Sequence, residues 1–277
     1  MTVLQEQFTL SNGVRMPKLG FGTWQITDAT QAYDATCAAL ACGYRHIDTA
    51  RVYGNEDAVG RAVRDSGIPR SEVFVTSKLP AEIKDHDEAL TSFETTMDTI
   101  GLDYLDCYLI HAPWPWHDIG RDCGSGNKAV WKAFEAIYRS GRAKAIGVSN
   151  FNVSDLENLL DGCSLAPMVN QIRFFIGNTQ ENVVEFCRSK DIRVTAYSPL
   201  ATGKILQHPD IAAVAERYGK TVAQLCIRYV IQKGVGPLPK STDPQRIREN
   251  ADIDFDIGSA DMDLLERLSD TDKVHGG

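Results

Sequence analysis

Gly20-Phe21-Gly22-Thr23-Trp24-Gln25 is the stretch on which the fold turns. It closes the first strand candidate, residues 18–21, where a doubly wound nucleotide-binding domain would carry a Gly-x-Gly-x-x-Gly turn. The third glycine position holds Gln25 and a bulky Trp24 precedes it, so the fingerprint is incomplete. Upstream, segments 7–10 and 14–16 flank Ser11-Asn12-Gly13, and Asn-Gly is a strong hairpin signal. Downstream, strand candidates recur at 45–47, 73–77, 105–110, 143–148, 168–170, 193–196 and 235–239.

Segments with helical spacing separate these strands. Val130, Ala133, Phe134, Ile137 and Tyr138 form an i, i+3, i+4, i+7, i+8 series, and Leu90, Phe93, Met97 and Ile100 share another face. Thr221-Val-Ala-Gln224 reads as a capping box, and Asp243-Pro244 as an N-cap with proline at the first helical position. Gly43, Gly67, Gly101, Gly141, Gly162, Gly219 and Gly234 each follow such a segment, where a left-handed residue is wanted. Eight strand–helix units in about 250 residues predict an α/β fold, a (β/α)8 TIM barrel with an N-terminal β-hairpin. Residues 1–277 read as a single domain, with a long loop at 112–127 and a shorter one at 202–209.

With 43% hydrophobic and 24% charged residues the balance is that of a globular chain. A formal net charge of −8 disfavours nucleic acid and anionic membranes as partners. The seven cysteines are scattered and never spaced Cys-x-x-Cys, which fits reduced thiols in a cytoplasmic protein. Met1-Thr-Val-Leu-Gln-Glu-Gln7 has neither a basic nor an apolar leader segment, and no apolar run is long enough to span a bilayer.

In a (β/α)8 barrel the active site gathers at the C-terminal ends of the strands. Those ends carry Gly22, Thr23 and Trp24; Asp48; Lys78; His111; Ser149 and Asn150; Gln171; Tyr197 and Ser198; and Lys240 and Ser241. Singly, each has a plain structural explanation: a turn cap, a solvated lysine, a packed tyrosine. Together Asp48, Tyr53, Lys78 and His111 make chemical sense. A tyrosine's ordinary pKa of about 10 is too high for easy proton donation at neutral pH. An ammonium at Lys78 would lower it, and a carboxylate at Asp48 would keep that lysine charged. His111 would donate to a carbonyl oxygen and orient it. The set lacks an electron source. The stretch from Pro239 to Asn250 places Lys240, Ser241, Thr242 and Arg246 around a helix start, a setting suited to phosphate. No metal-ligand spacing, paired glycosidase carboxylates or Gly-rich phosphate loop is present.

These stretches resemble the aldo-keto reductases, single-barrel enzymes that bind NADPH without a doubly wound domain. The resemblance runs from the hairpin to about Asp256, through residues 43–56, 75–79, 105–113, 147–151, 170–171, 196–200 and 239–250. It is strongest toward compact bacterial members described as reductases of 2,5-diketogluconate and other small carbonyls. The resemblance implies Tyr53 as general acid, Lys78 as its partner, Asp48 as the ion-pair partner of Lys78, and His111 as the group orienting the carbonyl. It implies that Tyr197 stacks on the nicotinamide and that Ser149, Asn150 and Gln171 bind its carboxamide. Gly22, Thr23 and Trp24 would line the cofactor, and Ser198, Leu200 and Thr202 would follow the pyrophosphate. Lys240, Ser241, Thr242 and Arg246 would clasp the 2′-phosphate, with Glu249 and Asn250 at the adenine. The implied cofactor is NADPH, the implied partner a small carbonyl substrate (keto-sugars and diketones included), and the implied state a monomer.

The chain departs from the family pattern in the pocket walls. Ala112 and Pro80 stand where many relatives have tryptophan, and Arg173-Phe174-Phe175-Ile176 replaces a Glu-x-His-Pro run. Trp24 and Trp114 are the expected substrate-pocket residues, with Trp114 and Trp116 refilling the lost aromatic space. The short tail after the last amphipathic segment suits an open pocket. Two other readings remain at this stage: a Schiff-base aldolase with Lys78 as nucleophile, and an NADPH-binding sensor.

Overall fold

The Asn-Gly turn joins β1 (Gln7–Thr9) to β2 (Arg15–Pro17), an antiparallel pair with Phe8 opposite Met16. In the computed structural model, which describes residues 2–273, strand and helix then alternate as the sequence predicts. β3 (Phe21–Gly22) leads to α1 (Ala29–Ala41), β4 (His46–Asp48) to α2 (Glu56–Asp65), and β5 (Phe74–Leu79) to α3 (His86–Ile100). β6 (Cys107–Ile110) precedes α4 (Gly124–Arg139), β7 (Ile146–Ser149) precedes α5 (Val153–Leu160), and β8 (Val169–Arg173) precedes α6 (Glu181–Ser189). β9 (Arg193–Tyr197) is followed by two helices, α7 (Pro209–Arg217) and α8 (Val222–Gln232). β10 (Gly236–Leu238) is followed by α9 (Pro244–Ala251) and α10 (Ser259–Glu266). Among the described residues no helix is long and apolar enough to cross a membrane.

β3 to β10 form one parallel sheet in chain order. Every residue of β5 and β6 is buried, the signature of strands covered on both faces. The helices cover the outer face: Val130, Ala133, Phe134 and Ile137 of α4 are buried, and Phe134 stacks on Tyr108 of β6 at 4.8 Å. The predicted capping box of α8 and the Asp243 cap of α9 both form.

The ends of the sheet meet at the stretch that excluded the dinucleotide turn. Gly20 N–H donates to the Pro237 carbonyl and Gly22 N–H to that of Pro239, both at 3.0 Å. In a regular parallel ladder the residue two beyond Pro237 would donate back, and that residue is Pro239, which has no N–H. The seam is therefore bonded in one direction only, which explains why β3 is recognisable as strand over only Phe21–Gly22 rather than residues 18–21. A Cβ on Gly20 would stand 2.5 Å from Leu238 Cδ2 and 2.8 Å from His46 Nδ1. The paired glycines serve barrel closure, and the dinucleotide turn they resemble has no part in it.

Candidate active site

β4 ends on Asp48, and the chain immediately turns through a 3-10 segment, Arg51–Tyr53, closed by Gly54 in the left-handed region (φ 69°). That turn returns Tyr53 to the mouth. Asn55 fastens it: its amide donates to the carbonyls of Thr23 (3.0 Å) and Ile26 (2.9 Å), and its oxygen accepts from the Thr49 hydroxyl at 2.7 Å. Thr23 donates its hydroxyl to the Asp48 carbonyl at 3.0 Å.

From Asp48 a continuous hydrogen-bond path runs around the barrel. Lys78, wholly buried, donates to Asp48 Oδ1 at 2.6 Å, to the Thr49 carbonyl at 2.9 Å and to the Tyr53 hydroxyl at 3.3 Å. Gln171 donates to the other Asp48 oxygen at 2.8 Å. Ser149 donates to the Gln171 carbonyl, and Asn150 donates to Ser149 Oγ and to the His111 carbonyl. Tyr197 donates to Asn150 Oδ1 at 2.7 Å. His111 meets the Tyr53 ring edge-on, centroids 5.6 Å apart, and its buried Nδ1 has no partner among the described residues. Seven strand-end residues and Tyr53 thus converge on one site.

Burial alone pulls the pKa of Lys78 down, yet Asp48 and Tyr53 together hold its ammonium above the ordinary value. For Tyr53, burial acts first and raises the pKa. The Lys78 ammonium pulls it down, as the sequence reading expects, without overcoming burial. Burial, then Lys78, pushes His111 well below its ordinary value, so it is a neutral imidazole that can donate one N–H. A fully buried, charged Lys78 is a poor nucleophile, which removes the geometric basis for a Schiff base.

The cofactor-side expectations divide into groups. Ser149, Asn150, Gln171 and Tyr197 belong to the path just described, while Thr23 is buried and uses its hydroxyl as a brace. Gly22 lies in the seam, and Trp24 is exposed. Ser198 (φ 50°) and Thr202 (φ 57°), with Ala201 between them, hold left-handed backbone in the loop after β9 that also carries Leu200. Such strain costs about 1–3 kcal/mol per residue and concentrates at ligand sites. Lys240, Thr242 and Arg246 are exposed, and neither cation forms an ion pair among the described residues. One expectation changes. The N–H groups at the start of α9 are taken by the Asp243 carboxylate, from Gln245 (2.8 Å) and Arg246 (3.3 Å). A phosphate here would be met by side chains instead of the free helix end. Glu249 accepts from Gln245, and Asn250 is buried with no side-chain hydrogen bond among the described residues.

Two features escaped the sequence reading. Asn55 sits inside the 43–56 stretch, but nothing in its neighbours announces four hydrogen bonds to Thr23, Ile26 and Thr49. Glu56 is buried against Ser77, whose hydroxyl it accepts, directly behind Lys78. A carboxylate at the first position of a helix normally reads as a dipole partner in solvent. Trp114 and Trp116 do enter the site's surroundings, but Trp116 makes the His111 contact, at 5.4 Å and 90°, with Trp114 packed behind it at 5.0 Å.

The family model described as "Aldo/keto reductase family" matches residues 18–270. Glyoxal reductase of Bacillus subtilis is 40% identical over 274 residues, covering 99% of this chain and 96% of that protein. An aldo/keto reductase crystal structure from Brucella melitensis superposes with a TM-score of 0.88 at 39% identity, covering 94% of this chain and 98% of that one. A Bombyx mori aldo-keto reductase solved in complex with NADP gives 0.87 at 31% identity, covering 98% and 95%. On fold, site and these likenesses, the chain belongs to the aldo/keto reductase family.

Proposed function

We propose that the protein is a cytoplasmic, monomeric NADPH-dependent reductase of small aldehydes and ketones, in which Tyr53 is the general acid. The observation that carries this reading is the buried Asp48–Lys78 pair ending on the Tyr53 hydroxyl, beside a neutral His111.

The residues present fit the cofactor. Lys240 and Arg246, exposed and without an ion pair among the described residues, are cations suited to a 2′-phosphate, and the strained 198–202 loop lies between them and the tetrad in sequence. Gln171 keeps its side-chain carbonyl and Asn150 the second lone pair of its own as acceptors that would hold a carboxamide N–H, their amide N–H groups being engaged by Asp48, Ser149 and His111. When bound, the reduced nicotinamide supplies hydride to the carbonyl carbon. His111 then holds the carbonyl oxygen through its N–H. As the C–O π pair moves onto that oxygen, Tyr53 delivers the proton and the alcohol is complete. Lys78 stabilises the phenolate left on Tyr53, and Asp48 keeps Lys78 protonated for that role. Without a cation beside it, a phenol buried this deeply would hold its proton too firmly.

Likeness to a glyoxal reductase supports reactive α-dicarbonyls among the substrates. The test is NADPH oxidation followed by absorbance across aldehydes, diketones and keto-sugars. Turnover with several members, and faster with NADPH than with NADH, is expected. No consumption of NADPH with any of them would end this reading.

A further inference from the structure

Alanine follows the strand-end histidine here and proline stands two residues beyond Lys78, so neither position supplies a flat wall. The aromatic surface over the site comes from farther along the chain. Tyr53, His111, Trp116 and Trp114 form a row of edge-to-face rings with successive centroids 5.6, 5.4 and 5.0 Å apart. Trp114 is half-buried, whereas Trp116 leaves 39% of its surface open beside His111. A packed core tryptophan would not leave that much surface uncovered.

The loop is held in place by specific bonds. Trp116 N–H donates to Glu82 Oε1 at 3.2 Å. Lys84 Nζ donates to the Ala112 carbonyl at 2.8 Å and to Asn127 Oδ1 at 2.9 Å, and Asn127 in turn donates to the Pro113 carbonyl at 2.9 Å. Gly126 lets these segments close up, since a Cβ there would stand 2.8 Å from Lys84 Cβ. Segments 82–84 and 112–116 are therefore one tied unit, and a wall that is pre-organised loses little entropy when a ligand packs on it.

Exposed apolar side chains gather at the same end of the barrel as this wall. Among the described residues the exposed large hydrophobics are Trp24, Val52, Trp116, Ile119 and Leu206. Each lies in a loop that follows the C-terminal end of a strand: β3, β4, β6 twice, and β9. Scattered exposed hydrophobics are ordinary, but their restriction to one end of the barrel is not.

We propose that Trp116 is the specificity-determining wall of the carbonyl site, and that it selects aldehydes and ketones bearing a flat apolar group, aryl or conjugated, over polyhydroxylated chains. This rests on the carbonyl-reductase reading. The flat group packs on the open face of Trp116 while His111 holds the carbonyl oxygen. Lys84 and Asn127 are positioning residues, acting only through the loop they tie.

The experiment compares wild type, Trp116→Ala, Trp116→Phe, Trp114→Ala and Lys84→Met, using benzaldehyde and glyoxal with saturating NADPH. Trp116→Ala should raise KM for benzaldehyde about tenfold, the loss expected for one aromatic packing partner, and leave glyoxal within about twofold. Trp116→Phe should recover most of the loss. Lys84→Met should move benzaldehyde KM in the same direction as Trp116→Ala, and Trp114→Ala should have the smaller effect. NADPH binding, read by fluorescence, should be unchanged throughout. An unchanged benzaldehyde KM in Trp116→Ala, or an equal loss for both substrates, overturns the wall while the reductase reading stands. A wild type that consumes NADPH with neither substrate, nor with any other carbonyl, overturns both.

Discussion

Replacing Asp48 by asparagine tests the electrostatics of the site at the point where they are most exposed to failure. Lys78 is wholly buried and Asp48 nearly so, and the Nζ–Oδ1 distance is 2.6 Å. Asparagine keeps one acceptor oxygen but removes the charge, leaving an ammonium with two neutral carbonyl partners in a dry barrel. Removing one member of such a pair costs about 3–5 kcal/mol. With a urea slope near 3 kcal/mol per molar, the unfolding midpoint should fall by about 1–1.7 M at pH 7. The pH dependence supplies a sign as well as a size. In the wild type the folded-state value of Lys78 is raised. Its contribution to stability is therefore fully present below the unfolded value of about 10.4 and is lost only as pH rises through the folded value. In the variant burial prevails and the folded value drops below that of the free side chain. Stability should then rise with pH toward 10.4, whereas the Lys78 contribution in the wild type stays flat over that range. Urea melts of both proteins from pH 7 to 10 measure this. Equal midpoints at pH 7, or parallel pH dependence, would refute the claim that Asp48 keeps Lys78 charged.

Burial pushes the Glu56 carboxyl up from 4.5 to about 7 against the pull of Ser77, Arg51 and Lys78, so its contribution is most favourable below pH 4.5 and declines as pH rises through 7. Glu56→Gln retains an acceptor for Ser77 and cannot ionise; it should gain up to roughly 3 kcal/mol on the wild type between pH 5 and 8, and parallel urea midpoints across that range would contradict this. Gly20→Ala should cost about 1–3 kcal/mol by overpacking the barrel seam against Leu238 and His46, read as a lower thermal midpoint; an unchanged midpoint would show that the seam tolerates a side chain. Lys240→Ala with Arg246→Ala should weaken NADPH binding by about a hundredfold or more, since two charge-assisted bonds to phosphate at about 1.5–3 kcal/mol each are lost. NADH should be nearly unaffected, and equal losses for the two cofactors would show that this cluster does not read the 2′-phosphate.

The residues at the strand ends were legible because a parallel barrel obliges them to converge. Once the strands at 45–47, 73–77 and 168–170 were placed, Asp48, Lys78 and Gln171 had to face one mouth. Local capping was legible for a similar reason, since Thr221 and Asp243 act within three residues of themselves. What escaped depends on tertiary contacts with no local signature. Asn55 looks like a helix cap and instead ties the loop after β3 to the loop after β4. Thr23 looks like a cofactor contact and spends its hydroxyl on the Asp48 backbone. Gly20 and Gly22 were informative through the glycine missing at Gln25, yet their positive role lies on the opposite edge of the sheet, against two prolines more than two hundred residues away. Trp114 and Trp116 were both expected at the pocket, but which of them meets His111 was not legible, because the tether joins loops from neighbouring strands.

All of this chemistry passes through one hydroxyl, and Tyr53→Phe removes it while keeping the ring that packs on His111. NADPH binding and carbonyl-dependent NADPH oxidation, measured on the same preparation, give the most direct test. Binding should match the wild type, and turnover should fall by about a hundredfold or more with every carbonyl, the scale of a lost general acid. Oxidation at a rate near that of the wild type would mean that another group delivers the proton.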